Sequence, residues 1–292
     1  MIRLFGRTST EKENTADLIM SGMKMDLHIH TCFSDGKLEP QEVVDRWRDE
    51  GYELISITDH DGITGSMVGM DYALGSGIKI ISGIEFDSED ALGKDIHILG
   101  YGFDYNCPAL RSALLEVIIK RARRNDELMN ALNRRGYGIT LDDIGEVNEG
   151  RYVGKPTFAR ILLKKGIISN VQEAFTTIFR EPDIRRIVKD TLSSKEVIDI
   201  IHEAGGLAFF AHPMEQRHLG ESFEEFRPRL YALLEKMRDY GVDGIECYHP
   251  SADDYQSGLM RAFAEENGLL ISRGSDFHSD DTRRDFSRYH MP

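Results

Sequence analysis

Short apolar runs rich in Ile, Leu and Val recur along the chain, separated by longer stretches of helical period. That alternation is the pattern of βα units, in which a largely parallel sheet is covered by helices. It predicts seven strands, at Met25–His28, Leu54–Thr58, Ile80–Ile84, Ile96–Tyr101, Leu207–Ala211, Asp243–Cys247 and Leu269–Ser272. Helices are expected near 40–51, 194–205, 223–241 and 254–267.

Between Tyr105 and Asp190 the rhythm changes. Leu114, Ile118, Ala122, Leu128 and Leu132 keep helical spacing and no strand-like run intervenes, so 105–190 reads as an inserted helical subdomain. Its charge differs as well: it carries 16 Lys and Arg against 11 Asp and Glu, while the whole chain has a net charge of −14. The expected organisation is a polar N-terminal leader at 1–23, a catalytic barrel from 24–104 and 191–292, and the insert as a cap.

An acidic chain of this kind does not read as a general binder of duplex nucleic acid. No run approaches the ~20 apolar residues of a membrane span, and residues 1–23 lack the apolar core of a secretory signal. A soluble, cytoplasmic protein without membrane partners is expected. Cys32, Cys107 and Cys247 form no CxxC pair and read as free thiols.

The chemistry gathers at predicted strand ends. His28 and His30 end the first strand, Asp59 and His60 the second, and Glu85 the third. His97 lies in the fourth, Ala211-His212-Pro213 ends the fifth, Tyr248-His249-Pro250 the sixth, and Gly274-Ser275-Asp276-Phe277-His278 the seventh. In a barrel of parallel strands these ends meet on one face, where active sites of such folds are built. Two residues apart on a strand, His28 and His30 point to one side, and Asp35 of the following Ser34-Asp35-Gly36 turn adds a carboxylate. Imidazole and carboxylate without thiolate suit Zn, Mn or Fe in open catalytic sites. His202, His218 and His290 read as ordinary histidines outside the site.

The segments DLHIHTCFSDG, ITDHDGITG, GIEF, HILGY, AHP and GSDFH together resemble the PHP (polymerase and histidinol phosphatase) superfamily of metal-dependent phosphoesterases, over about residues 24–104 and 191–278. The insert between the fourth and fifth motifs is most similar to the subgroup of nucleotide 3′,5′-bisphosphate phosphatases and the related RNA 5′-end exonuclease. The resemblance implies a distorted (β/α)7 barrel holding two or three divalent ions. It also implies a partition of ligands: His28, His30, Glu85 and Asp276 on one ion, Asp35, His60 and His212 on a second, His97 and His278 with shared Glu85 on a third. The implied activity is hydrolysis of phosphomonoesters of small, AMP-like nucleotides such as pAp, and of 5′ ends of short RNA, by metal-bound hydroxide.

No serine or cysteine nucleophile is needed for that chemistry, so Cys32 beside the ligands is expected to be dispensable. His249 is a candidate to protonate the leaving group or to bind phosphate. In the insert, Lys120, Arg121, Arg123, Arg124, Arg134 and Arg135 form a basic cluster, and Lys155 and Arg160 flank a predicted helix start at Pro156. Arg124, Lys155 and Arg160 are the candidates to hold a second phosphate, with Phe158 and Tyr248 as candidate stacking partners. The Gly154-Lys155-Pro156-Thr157 segment carries Lys-Pro-Thr where the subgroup would have Arg-Pro-His. A histidinol-phosphate or sugar-phosphate phosphatase is the alternative enzyme, and a non-catalytic accessory PHP module the alternative of another class. An amidohydrolase would use a similar His-x-His, but its lysine after the fourth strand has no evident counterpart.

Overall fold

A computed structural model of the chain describes residues 9–148 and 152–280. In chain order the elements are α1 (Ser9–Ile19), β1 (Met25–Ile29), α2 (Pro40–Asp49), β2 (Leu54–Ile57), α3 (Thr64–Tyr72), β3 (Lys79–Ile80), β4 (Gly83–Asp90), β5 (Gly93–Tyr101), α4 (Pro108–Arg134), α5 (Leu141–Asn148), α6 (Lys155–Lys164), α7 (Val171–Thr176) and α8 (Pro182–Arg185). There follow β6 (Leu192–Ser193), α9 (Ser194–Glu203), β7 (Leu207–Phe210), α10 (Phe223–Tyr240), β8 (Gly244–Tyr248), α11 (Asp254–Glu266) and β9 (Leu270–Arg273). Single 3-10 turns lie at Ile178–Arg180 and Pro213–Gln216.

The chain divides into two compact units, Met1–Leu114 with Leu192–Pro292, and Leu115–Thr191. In the first, β1–β2–β3 form a parallel sheet and β6–β4–β5–β7–β8–β9 a second, mixed sheet. Bridges from Ile29 to Phe277 and from His60 to Glu85 join the two sheets at both seams and close the barrel. Strands β1, β2 and β7 are buried along their whole length; β7 accordingly reads as a continuous apolar run, while β1 alternates Met25, Leu27 and Ile29 with the buried polar Asp26 and His28. Val43, Val44, Trp47, Ile55 and Ile57 form an outer core under α2, while Met25, Leu27, Leu99, Tyr101 and Phe209 form another cluster with Ile19 of α1. Helices α9, α10 and α11 start on the capping boxes Ser193/Glu196, Ser222/Glu225 and Asp253/Gln256.

Two sequence expectations are corrected here. The barrel is not wholly parallel: β5 runs antiparallel to both β4 and β7. Only Ala91 and Leu92 connect β4 to β5, a hairpin turn too short for a helical crossover. His97, midway along β5 opposite Asp87, thereby reaches the face where the parallel strands end. The strand expected at Ile80–Ile84 is two strands, β3 and β4, broken at Ile81 and Ser82. Within the expected leader 1–23, Ser9–Ile19 is helical and Ile19 is buried. Residues 1–8, and with them Arg3 and Arg7, lie outside the described residues, as do His290 and the charged tail from 281.

The second unit is helical. Leu128, Leu132, Phe158, Leu162, Phe179 and Ile184 lie in one apolar core. Helix α6 starts at Lys155 with Pro156 in its first turn, where a missing N–H costs nothing.

Candidate metal centre

Eight imidazole and carboxylate groups, carried by β1, β2, β5, β7, β9 and the turns that follow them, gather around Glu85, a wholly buried residue of β4. Its two oxygens face different neighbours. Oε2 lies 3.2 Å from His28 Nε2, His30 Nε2 and His60 Nδ1, and Oε1 lies 2.8 Å from His97 Nδ1 and 2.9 Å from His212 Nε2. The His60–Glu85 bridge that closes the barrel is what sets these groups side by side.

The Ser34-Asp35-Gly36 turn carries Asp35 into the same space, 3.2 Å from His278 Nε2 and 3.6 Å from His30 Nδ1. A buried Asp59 fixes that turn by accepting from the Thr31 N–H (2.8 Å), Thr31 Oγ1 (2.7 Å) and Ser34 Oγ (2.6 Å). Gly36 is required in it, because a Cβ there would stand 2.4 Å from the His30 carbonyl oxygen. Asp276 Oδ1 lies 3.1 Å from His30 Nε2 and 3.4 Å from His28 Nε2. His249, 2% exposed, holds Nε2 at 3.3 Å from Asp276 Oδ2 and Nδ1 at 2.7 Å from Ser251 Oγ.

This donor set suits divalent cations. Ring nitrogens approach one another head-on, His28 to His30 at 3.1 Å and His97 to His212 at 3.2 Å, so that lone pairs or protons crowd unless a cation lies between them. The buried Glu85 Oε2 and His60 Nδ1, though near each other, make no hydrogen bond. Donor atoms within 4.8 Å of one another form the groups His30/Asp35/His60/His278, His28/His30/Asp276, His28/Glu85/His212 and His60/Glu85/His97. These groups differ from the ligand sets implied by the resemblance in that His278 stands with Asp35 and His60, while His212 lies beside His97 and Glu85. The antiparallel β5 is the reason, since it carries His97 toward β7 rather than toward the end of β9.

The electrostatics follow the same geometry. Burial opposes a charged His212, yet the hydrogen bond and charge of the Glu85 carboxylate, with the charges of Asp276 and Glu215, together outweigh this and lift it to about 9. Burial likewise opposes a charged His278, and Asp35 lifts it to about 9. His28 and His60 are also raised well above the ordinary imidazole range, against burial, chiefly by Glu85. Burial would raise Glu85 and Asp276, but the surrounding imidazoles hold both carboxyls well below their usual range.

Sequence reading did not find Asp87 or Glu246. Asp87 Oδ1 lies 2.9 Å from His60 Nδ1 and 3.6 Å from His97 Nε2; it follows Glu85 by two on a strand, so alternation could have placed it on the same face. Glu246 precedes its strand end and carries no motif.

A groove of about 750 Å³ opens beside His97 and His212 and runs past Gln216, Arg217 and Arg229 to Asp90 and Asp95. In the helical unit, Arg124 is largely buried and lines a hollow of about 140 Å³ with Lys120, Arg123 and Asp190. Lys155 opens α6 and Arg160 is an exposed residue within it. Phe158 is fully buried in that unit's core and cannot stack on a ligand, and the Arg273 guanidinium lies over the Tyr248 ring. Cys32 donates to Glu39, and Cys107 and Cys247 are buried, all three as free thiols. No helix among the described residues is long and apolar enough to cross a membrane.

A PHP domain model matches residues 26–245. A 5′-3′ exoribonuclease of Haemophilus influenzae is 30% identical over 87% of this chain and 90% of its own. A 3′,5′-nucleoside bisphosphate phosphatase of Chromobacterium violaceum is 28% identical over 87% of each chain. Among solved structures, a Bifidobacterium adolescentis chain described as a metal-dependent phosphoesterase superposes with a TM-score of 0.75 at 27% identity, over 90% of this chain and 94% of its own.

Proposed function

The chain belongs to the PHP domain family and is a metal-dependent phosphoester hydrolase, and from that premise we propose that it acts on nucleotides with two phosphates and on 5′ ends of short RNA. One observation carries the reading: a single buried carboxylate, Glu85, with each oxygen turned to a different set of imidazoles. Such a carboxylate suits a bridge between ions. His28, His30 and Asp276 would hold one ion, Asp35, His60 and His278 a second, and His97 and His212 a third with Glu85 shared. Mn, Fe and Zn all accept this ligand mix.

Bound there, divalent ions supply a nucleophile from water near neutral pH and neutralise charge on the phosphoryl group. The chain's own side chains orient the reaction. Asp59 fixes the turn that carries Asp35. His249, held by Ser251 and facing Asp276, is proposed to hydrogen-bond a phosphoryl oxygen or the leaving oxygen.

The groove beside His97 and His212 has the volume of a small-molecule site and receives the nucleoside. In the helical unit Arg124, Lys155 and Arg160 are proposed to bind phosphate, Arg124 with Lys120 and Arg123 around its hollow.

The test is phosphate and nucleotide release from adenosine 3′,5′-bisphosphate, AMP, a 5′-phosphorylated RNA oligomer, histidinol phosphate and simple sugar phosphates, on Mn²⁺-loaded protein with His28→Ala as control. Preference for the bisphosphate or the RNA, lost in the control, is expected. Preference for histidinol or sugar phosphates would leave the centre standing and overturn the nucleotide reading.

A further inference from the structure

We propose that Glu246 is a positioning residue of the metal centre, whose one carboxylate fixes both the ring of His28 and the backbone of His212. The proposal rests on reading those two histidines as ligands and goes beyond it to a residue outside the donor groups. Glu246 lies in β8 and is 0% exposed. Its Oε1 stands 3.0 Å from His28 Nδ1, and its Oε2 accepts from the His212 backbone N–H at 2.8 Å. Strand β8 pairs with β7 on one side and β9 on the other, and β9 leads round to β1 through the Phe277–Ile29 bridge. Glu246 therefore ties together ligands from opposite directions around the barrel.

Each bond has a consequence at the centre. An ionised carboxylate can only accept, so His28 Nδ1 keeps its hydrogen, and when the ring gives up a proton to bind a metal the lone pair falls on Nε2. That Nε2 is the atom facing His30 Nε2, Glu85 Oε2 and Asp276 Oδ1. A carboxylate behind a liganding imidazole also raises its basicity and fixes its plane. His212 adopts a φ of +27°, a conformation that non-glycine residues rarely take. Its N–H bond to Glu246 holds the backbone there while Nε2 reaches Glu85 at 2.9 Å.

The surroundings leave no slack. A Cβ on Gly274 would stand 2.0 Å from His28 Cβ and 2.6 Å from Glu246 Oε1. Both carboxylate oxygens are engaged by N–H donors turned away from Glu85, and Glu246 is absent from every candidate ligand group among the described residues.

Glu246→Gln is the informative variant. It keeps shape and volume, but its single carbonyl can accept from only one of the two N–H groups, and its amide must confront the other with a second donor. On the full chain, stripped with a chelator, Mn²⁺ and Zn²⁺ affinities are measured by competition with a fluorescent chelator, alongside thermal unfolding of the metal-free protein. The expected result is about a 10–100-fold loss of affinity in Glu246→Gln, the usual scale for a partner behind a ligand, with metal-free unfolding shifted by no more than a few degrees. Glu246→Ala, which leaves both donors unsatisfied, loses more affinity. Wild-type affinity in Glu246→Gln overturns the proposal, and so does a metal-free variant that is already unfolded, since Glu246 would then be a structural residue only. A wild-type protein that binds neither ion overturns the metal centre itself, so the two failures are told apart by the wild-type titration.

Discussion

Filling the centre with divalent ions at pH 8 should expel protons in a number the structure sets. An imidazole must be deprotonated at the nitrogen that binds a metal. In the metal-free protein His212 and His278 titrate at about 9, so each is about nine-tenths protonated at pH 8. His28 and His60 are also raised well above the ordinary imidazole value, by Glu85 and its neighbouring carboxylates, and can only add to the release. The carboxyls of Glu85, Asp35 and Asp276 are depressed, hence already ionised, and contribute none. Full loading therefore releases at least roughly two protons, from His212 and His278, at pH 8, and fewer from these two as pH rises through 9. Isothermal titration of metal into stripped protein, repeated in Tris, HEPES and Tricine, reads this number as the slope of observed heat against buffer ionisation enthalpy. A slope below one at pH 8 would refute the reasoning, because these imidazoles would be either neutral beforehand or not ligands. The same shifts fix the stability of the metal-free fold. A histidine raised in the folded state stabilises fully below the unfolded value of about 6.5, and that contribution is lost as pH rises through about 9. Metal-free protein should accordingly melt at lower temperature at pH 10 than at pH 7, and metal should shrink that difference.

Other outcomes follow from the same geometry. Cys32→Ser keeps a donor toward Glu39 and takes no part in the chemistry, so activity within about two-fold of wild type and stability within ~0.5 kcal/mol are expected in steady-state assays and urea unfolding. Gly274→Ala drives a methyl group into His28 and Glu246, and should cost about 1–3 kcal/mol or more of metal-free stability together with bound metal, read by denaturant titration and elemental analysis. Arg217→Glu, at the groove, should raise KM for adenosine 3′,5′-bisphosphate several-fold and leave hydrolysis of p-nitrophenyl phosphate unchanged; equal effects on both substrates would count against the groove as the nucleoside site.

The parts of the site that sequence reading could reach are those carried by motif and by strand periodicity. His28 and His30 share a face because they are two apart along extended chain, His212 follows an apolar run directly, and His60 and His278 close the Thr58-Asp59-His60 and Gly274–His278 segments just past one. What escaped it depends on pairing between distant segments. The hairpin that turns β5 antiparallel is signalled only by a two-residue link, Ala91-Leu92, and it decides that His97 lies beside His212 and Glu85. Asp59 stands in a motif beside a ligand yet acts on the turn at Thr31 and Ser34, a role set by tertiary hydrogen bonds. Glu246 has no local signal, since its partners lie 218 and 34 residues away in the chain. Phe158 shows the converse failure: an aromatic beside basic residues suggested stacking, but helical period had already committed it to a core.

The most direct test of the central claim compares wild type with Glu85→Ala, each stripped with chelator and then titrated with Mn²⁺, while release of phosphate from adenosine 3′,5′-bisphosphate and of nucleotide from 5′-phosphorylated RNA is followed against metal content. Hydrolysis of at least one of these substrates that is absent after stripping, returns in step with bound metal in the wild type and stays absent in Glu85→Ala is the predicted result. Hydrolysis that survives stripping or the loss of Glu85, or no hydrolysis of either substrate by fully loaded wild type, would contradict it.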